Sequence, residues 1–210
     1  MRKITCGVVD IQKKLQKSMD AQRFVHTLGV AYTATSLAMV HGIDIKQARL
    51  AGLLHDCAKS ISVHNLLRLC RINGIKISAY EQANPSLLHA KAGALIARSK
   101  YKVIDSEVLD AIRFHTTGKP AMSTLGKIIY IADFIEPNRK ELDCLDAIRK
   151  VSFANLDEGM YLILKNILEW LDEENKVIDD MSRSAFAYYA NIHKDKESAC
   201  RLAAPSALFD

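Results

Sequence analysis

The 210-residue chain has five cysteines and no C-x-x-C pair among them. Cys6, Cys57, Cys70, Cys144 and Cys200 are odd in number and widely spaced. That argues against a disulfide framework or a thiolate zinc site, and reads as reduced thiols in a cytoplasmic protein. Prolines are few (Pro85, Pro120, Pro137 and Pro205) and strand-like alternation is scarce. No apolar run reaches the length of a membrane span. The basic start at Arg2 and Lys3 leads into no signal-peptide core, because Asp10 cuts the apolar stretch short. Low-complexity segments and solenoid repeats are missing. So are the G-x-x-x-x-G-K-[ST] loop of P-loop NTPases and the H-E-x-x-H of zincins.

What remains is helical periodicity almost throughout. The spacing predicts helices over Val8–Met19 and Ala21–Val40, the second closed by His41-Gly42. Asp44 is placed to cap a helix over Ile45–Ala58, and Ser62 one that ends near Gly74. Further helices are expected over Leu87–Ser99, from Asp105 or Ser106 to His115, from Ser123 or Thr124 through Asp133, and over Asp143–Val151. Two apolar stripes close the pattern. Phe153, Leu156, Met160, Ile163, Leu164, Ile167 and Trp170 form one, and Val177, Met181, Ala185, Tyr188 and Ile192 the other. Core packing explains such stripes. The expected architecture is all-α, a multi-helix bundle formed by one domain over residues 1–192. Residues 193–210 turn polar and read as a frayed or disordered tail. The 49% hydrophobic content supports a substantial core. A net charge of +5 suits an anionic substrate. The basic residues are dispersed and not interleaved with aromatics, which argues against nucleic acid as the partner.

The chemistry concentrates in Leu50-Ala-Gly-Leu-Leu-His55-Asp56-Cys57-Ala-Lys59. A histidine and an aspartate stand where an apolar helix would carry Leu or Ala. Burying both without partners costs several kcal/mol. His26, His89, His115 and Asp133 also lie in apolar segments, each in register with its helix's inward face. A lone inward histidine is ordinarily a satisfied core residue. Six such groups in one core are better satisfied by a metal cluster. Imidazole and carboxylate donors without thiolate suit iron, manganese, cobalt or zinc. Six side chains exceed what one catalytic ion needs, so two ions are expected, with a carboxylate bridging them. Cys57 adjoins the pair but should point about 100° away along the helix, into the core. His41, His64 and His193 read as exposed and not as ligands.

These residues stand in strings that carry a specific resemblance: Arg23-Phe-Val-His26-Thr-Leu-Gly-Val, the His55-Asp56 segment, Leu88-His89, Ile112-Arg-Phe-His115-Thr116-Thr117-Gly118 and Ile131-Ala-Asp133-Phe-Ile-Glu136-Pro-Asn138-Arg139. In this order, over about Gln22 to Ile192, the chain resembles the YqeK-type branch of the HD-domain metal-dependent phosphohydrolases. The resemblance implies an all-helical fold, two divalent or trivalent metal ions, iron first among them, and a bacterial cytoplasmic enzyme. The implied reaction is symmetrical hydrolysis of diadenosine tetraphosphate and related dinucleoside polyphosphates to ADP. His26, His55, Asp56 and Asp133 would hold one ion and His89 and His115 the other, with Asp56 between them. Lys59 would neutralise a phosphate. Thr116, Thr117 and Gly118 would meet phosphate oxygens, unless they only end a helix. Arg139 would grip phosphate or base, with Asn138 and Arg23 as weaker contacts. The rivals are another HD-type nucleotide phosphohydrolase and a nucleotide-binding regulatory module with little turnover. A homodimer is left open.

Overall fold

Seven helices in this chain, those that start at Ala21, Ile45, Val63, Ala79, Ser106, Thr124 and Leu156, begin where a short side chain accepts the first unpaired amides. In the computed structural model, which describes residues 7–140 and 142–203 and side chains through residue 195, eleven α-helices and one 3-10 turn follow one another, with no strand among the described residues. After α1 (Val8–Ser18), Asp20 caps α2 (Ala21–Val40). Asp44 accepts from two amides to start α3 (Ile45–Leu54), and Ser62 starts α4 (Val63–Ile72). A reciprocal Ser78–Glu81 capping box opens the short α5 (Ala79–Ala83). The 3-10 turn Pro85–Leu87 then leads into α6 (Leu88–Ser99). Asp105 caps α7 (Ser106–Phe114) and Ser123 caps α8 (Thr124–Ile135). α9 (Leu145–Ala154), α10 (Leu156–Glu173) and α11 (Asp180–Ala203) complete the chain. The expected all-α multi-helix bundle is what forms.

Three boundaries differ from the sequence reading. The helix expected over Ile45–Ala58 stops at Leu54, and residues 55–60 form successive turns. Their amides bond three residues back, Cys57 to Leu54 at 3.1 Å and Lys59 to Asp56 at 2.9 Å. The stripe that begins at Phe153 belongs to two helices. Asn155 breaks it by accepting from the Asp157 and Glu158 amides, which caps α10. His193 is not in an unstructured tail: α11 carries it, with Nδ1 2.9 Å from Glu158 and its ring stacked on Tyr161 at 4.1 Å. Of the expected tail, residues 204–210 lie outside the described residues. Helix α5 was not anticipated, because its apolar positions show no periodicity.

The core is layered around α2. Helices α3 and α8 pack against it, α7 packs on α3 and α8, and α10 joins α8 to α9 and α11. Leu37, Leu53, Leu54, Ile112, Ile128, Ile129 and Ile131 are fully buried where these faces meet. The α2–α3 crossing is close enough to require a glycine. A methyl at Gly52 would lie 2.7 Å from the Ala31 Cα, a backbone atom that cannot step aside. A smaller cluster of Ala58, Leu66, Cys70, Leu88 and Ala92 fastens α4 onto α6. The effect is to bring one end of α2, α3, α6, α7 and α8 to a common point. No described helix is long and apolar enough to cross a membrane.

Candidate metal centre

All six expected ligands meet at that point. His26 comes from α2, His89 from α6 and Asp133 from α8, while His55 and His115 are the residues just past α3 and α7. Asp56 follows His55 in the turn. Neighbouring residues of an α-helix point about 100° apart. His55 keeps helical dihedrals as the C-cap of α3, and the i→i+3 turn that follows carries Asp56 to the same cluster.

Asp56 is the hub. Its Oδ1 lies 3.1 Å from His89 Nε2 and 3.5 Å from His115 Nε2, and its Oδ2 lies 3.7 Å from His55 Nε2. Asp133 Oδ1 stands 3.0 Å from His26 Nε2 and 3.8 Å from His55 Nε2. Two ligand groups share Asp56: His26, His55 and Asp56 form one, Asp56, His89 and His115 the other. Within each, the donor atoms lie within 4.8 Å of one another.

The tautomers are set from behind. His55 Nδ1 lies 2.6 Å from the Gly52 carbonyl, His89 Nδ1 2.5 Å from that of Ser86, and His115 Nδ1 2.8 Å from that of Ile112. Each Nδ1–H donates there, which leaves each Nε2 as a lone pair aimed inward. His26 differs: its Nδ1 lies 3.1 Å from a carboxylate, Glu136 Oε1. Among the described residues, buried His26 Nε2, His55 Nε2 and Asp56 Oδ1 make no hydrogen bond. A buried acceptor left so costs about 1–3 kcal/mol. Three such atoms converging on one point are the signature of a site for cations, and the donor set fits a hard or borderline metal ion.

Charge within the metal-free cluster follows from burial and proximity. Burial pushes the His55 pKa down to about 4, against the pull of Asp56 and Asp133. Burial would raise Asp56, but His55, His115 and His89 outweigh it and hold the carboxyl well below its usual range. Asp133 is likewise held low, chiefly by His26 against its own burial. His26 and His115 are raised despite burial, by Asp133 and Glu136 and by Asp56 respectively. Cys57 is no ligand. Its Sγ lies 3.5 Å from the Gly93 carbonyl, and burial pushes its thiol up to about 12.

The HD domain family profile matches residues 23–138, a span that contains every one of these ligands. The chain belongs to the HD-domain family. It is 34% identical over 164 residues to a symmetrical bis(5'-nucleosyl)-tetraphosphatase of Bacillus subtilis (strain 168), covering 78% of this chain and 87% of the relative. A protein of the same name from Halalkalibacterium halodurans is 39% identical over 158 residues, 74% of this chain and 82% of that one. A solved structure from Clostridium acetobutylicum, described as a predicted HD superfamily hydrolase involved in NAD metabolism, superposes with a TM-score of 0.85 at 34% identity, covering 88% of this chain and 97% of the other. The resemblance noted in the sequence holds: this HD-domain protein is a member of the symmetrical bis(5'-nucleosyl)-tetraphosphatase group, a hydrolase.

The expected substrate contacts of this HD-domain protein divide. Arg23 is at the centre, its guanidinium 2.7 Å from Asp56 Oδ2. Lys59 is there too, with Nζ 3.4 Å from His89 Nε2. Burial chiefly lowers the Lys59 pKa, and the Arg23 and Arg139 charges add to that lowering. Arg139 also lines a cavity of about 590 Å³ that runs past Phe134, Leu142 and Ile167 to Trp170. Thr116 and Thr117 instead line a separate cavity of about 240 Å³ beside Tyr80, Lys91 and Asp179, in whose walls no metal ligand appears. Gly118 takes a positive φ of 64° and packs on Ala185, Tyr130 and Met160. That is the conformation of a helix-ending residue. Asn138 donates to Glu136 rather than facing the cluster. Of the other histidines, His64 is exposed and His41 Nε2 lies 3.2 Å from the Ser152 carbonyl.

Glu136 is a member of the cluster for which the sequence alone assigns no role, and its Oε1 lies 3.1 Å from His26 Nδ1. It is 1% exposed. A signal for it exists. A glutamate between an apolar helix and Pro137 is driven out of the helix, since a residue before proline avoids the α region. Glu136 indeed has ψ 150°, which turns its side chain back toward α2.

Proposed function

We propose that this chain hydrolyses diadenosine tetraphosphate at the centre of its phosphate bridge, releasing two ADP, as a cytoplasmic enzyme. The observation that carries the proposal is the shared position of Asp56. It belongs to two overlapping ligand groups, one with His26 and His55 and one with His89 and His115. That arrangement supports two ions bridged by one carboxylate, with Asp133 completing the first set. Bound ions of iron, manganese, cobalt or zinc would supply acidified water at neutral pH and positive charge beside phosphate.

The chain's own residues do the rest. Arg23, Lys59 and Arg139 form a cationic rim that binds phosphate oxygens and offsets charge as it builds on them. Lys59, closest to His89, is best placed to touch the reacting phosphate. Arg139 connects the rim to the apolar cavity, whose Phe134 and Trp170 rings offer a purine a stacking wall. A single rim with a single aromatic slot grips one nucleoside diphosphate unit. Water then adds across the next anhydride bond. One ADP keeps the oxygen of water and the other leaves with the bridging oxygen. A five-phosphate bridge gripped in the same way gives ADP and ATP.

Hydrolysis in oxygen-18 water followed by mass spectrometry tests this. The expected result is ADP as sole product, with label in half of it. AMP and ATP as main products would overturn the symmetrical reading. No turnover by metal-loaded protein would favour a regulatory nucleotide-binding module.

A further inference from the structure

Three of the four clustered histidines lean on backbone carbonyls, and His26 alone leans on a carboxylate. The difference is built into the fold at three positions. Glu136 Oε1 faces His26 Nδ1 at 3.1 Å. Its other oxygen, Oε2, accepts from the Asn138 amide at 2.7 Å and from the Asn138 side chain at 3.0 Å. The space it occupies exists because position 29 has no side chain. A methyl at Gly29 would overlap Glu136 Oε2, and would lie 3.0 Å from its Cδ and 3.1 Å from Asn138 Nδ2. Gly29 sits mid-way along α2, where alanine would be the better helix former. Behind Glu136, Arg149 donates from Nε to the Ile135 carbonyl at 3.1 Å, which pins the turn.

We infer that Glu136 is a positioning residue for metal binding, seated in a notch made by Gly29 and held by Asn138, and that it orients His26 and makes its inward nitrogen a stronger donor. Asn138 thereby acts through Glu136 and not on substrate. A carboxylate behind a ligating histidine fixes its tautomer and raises its basicity, and its loss typically costs 10–100-fold in metal affinity. The inference rests on the centre binding metal and not on which nucleotide it cleaves.

The test is competition for cobalt(II), whose visible spectrum reports its ligand field, between a chelator and the full-length protein. Glu136→Gln is informative because a carboxamide has one oxygen. It can accept from His26 or from Asn138 but not from both. The affinity should fall roughly 10-fold or more, with a changed cobalt spectrum and an unchanged melting temperature of the metal-free protein. Gly29→Ala should weaken cobalt binding to a similar degree. The decisive variant is the double change. With Glu136→Ala in place the notch is vacant. Gly29→Ala should then cost no further affinity and should raise the melting temperature. Equal cobalt affinity in wild type and Glu136→Gln would overturn the inference while leaving the metal centre standing. So would a full further loss from Gly29→Ala in the Glu136→Ala background. Failure of the wild-type protein to bind cobalt at all would sink the metal centre itself, and this inference with it.

Discussion

His89 and His115 point their Nε2 atoms at each other across 3.2 Å. Each has its Nδ1 committed to a carbonyl three residues back. With the protons at Nδ1, two lone pairs face one another in a buried site, an arrangement that repels unless a cation sits against both. Asp56 Oδ1 is close to both rings. The three atoms ask for the same positive charge.

Metal should therefore be part of the folded state. Adding a binding ion at about 100 times its Kd should stabilise the protein by about 2.7 kcal/mol. Asp56→Ala should abolish that gain and the activity together, because both ligand groups use Asp56. Thermal melts with and without metal, paired with elemental analysis, check this. Full metal content in the variant would remove Asp56 from the bridging position.

Metal uptake should release protons. In the metal-free cluster, His26 and His115 have pKa values raised above 6.5. Stabilisation from their carboxylate partners is thus fully present below pH 6.5 and is lost as pH rises through the raised values. A metal binds the neutral imidazole and must displace those protons. Apparent affinity should rise with pH across the same interval. Calorimetric titration with cobalt(II) in buffers of different ionisation heat measures the protons released. A heat independent of buffer would contradict the assignment.

Lys59→Ala and Arg139→Ala should keep their metal and lose kcat/KM. A charge-assisted contact to phosphate is worth about 1.5–3 kcal/mol, or roughly one to two decades in rate. Steady-state kinetics alongside metal analysis separates this from ligand loss. Unchanged kinetics in either variant takes that residue off the rim.

Trp170→Ala should raise KM for a dinucleoside polyphosphate and spare metal binding. Stacking a base on an aromatic ring is worth about 1–3 kcal/mol. The comparison that isolates the effect is inorganic tripolyphosphate, which has no base. Its inhibition constant should not move. An equal loss for both compounds would mean that the cavity holds phosphate, not a nucleoside.

Gly52→Ala tests the scaffold. Its methyl meets the Ala31 backbone at 2.7 Å, so α2 and α3 must separate. Overpacking of this kind costs about 1–3 kcal/mol, read as a lower urea midpoint. Because α2 carries His26 and α3 ends at His55, metal affinity should fall as well.

The cluster was legible because each member breaks an apolar pattern. His26, His89, His115 and Asp133 sit on helix faces that burial explains and polarity does not. The helix caps at Asp44, Ser62, Asp105 and Ser123 were legible for a similar reason, since a short acceptor precedes an apolar period. The end of α3 was not. Nothing in Leu54-His55-Asp56-Cys57 forbids a helix, and His55 still has helical dihedrals where the amides beyond it begin to pair three residues back. Glu136 was hidden because its role depends on a notch at Gly29, 107 positions away in sequence yet next to it in space. Thr116, Thr117 and Gly118 were legible only as a turn after His115 with two readings open, phosphate contact or a plain helix end. Adjacency to His115 in sequence suggested a shared task, but the turn after α7 carries the threonines to a different cavity.

The carbonyls that hold His55 and His115 come from Gly52 and Ile112, in the final turns of α3 and α7. Carbonyls at such positions have no partner within their own helix. The same two bonds therefore finish a helix and aim a ligand, and neither task can be undone alone. Fraying is the lowest-energy motion a helix has, and here it would carry a ligand out of the cluster with it. A bound ion should therefore hold these two turns closed, and amide exchange in residues 51–55 and 111–115 should slow when metal is added.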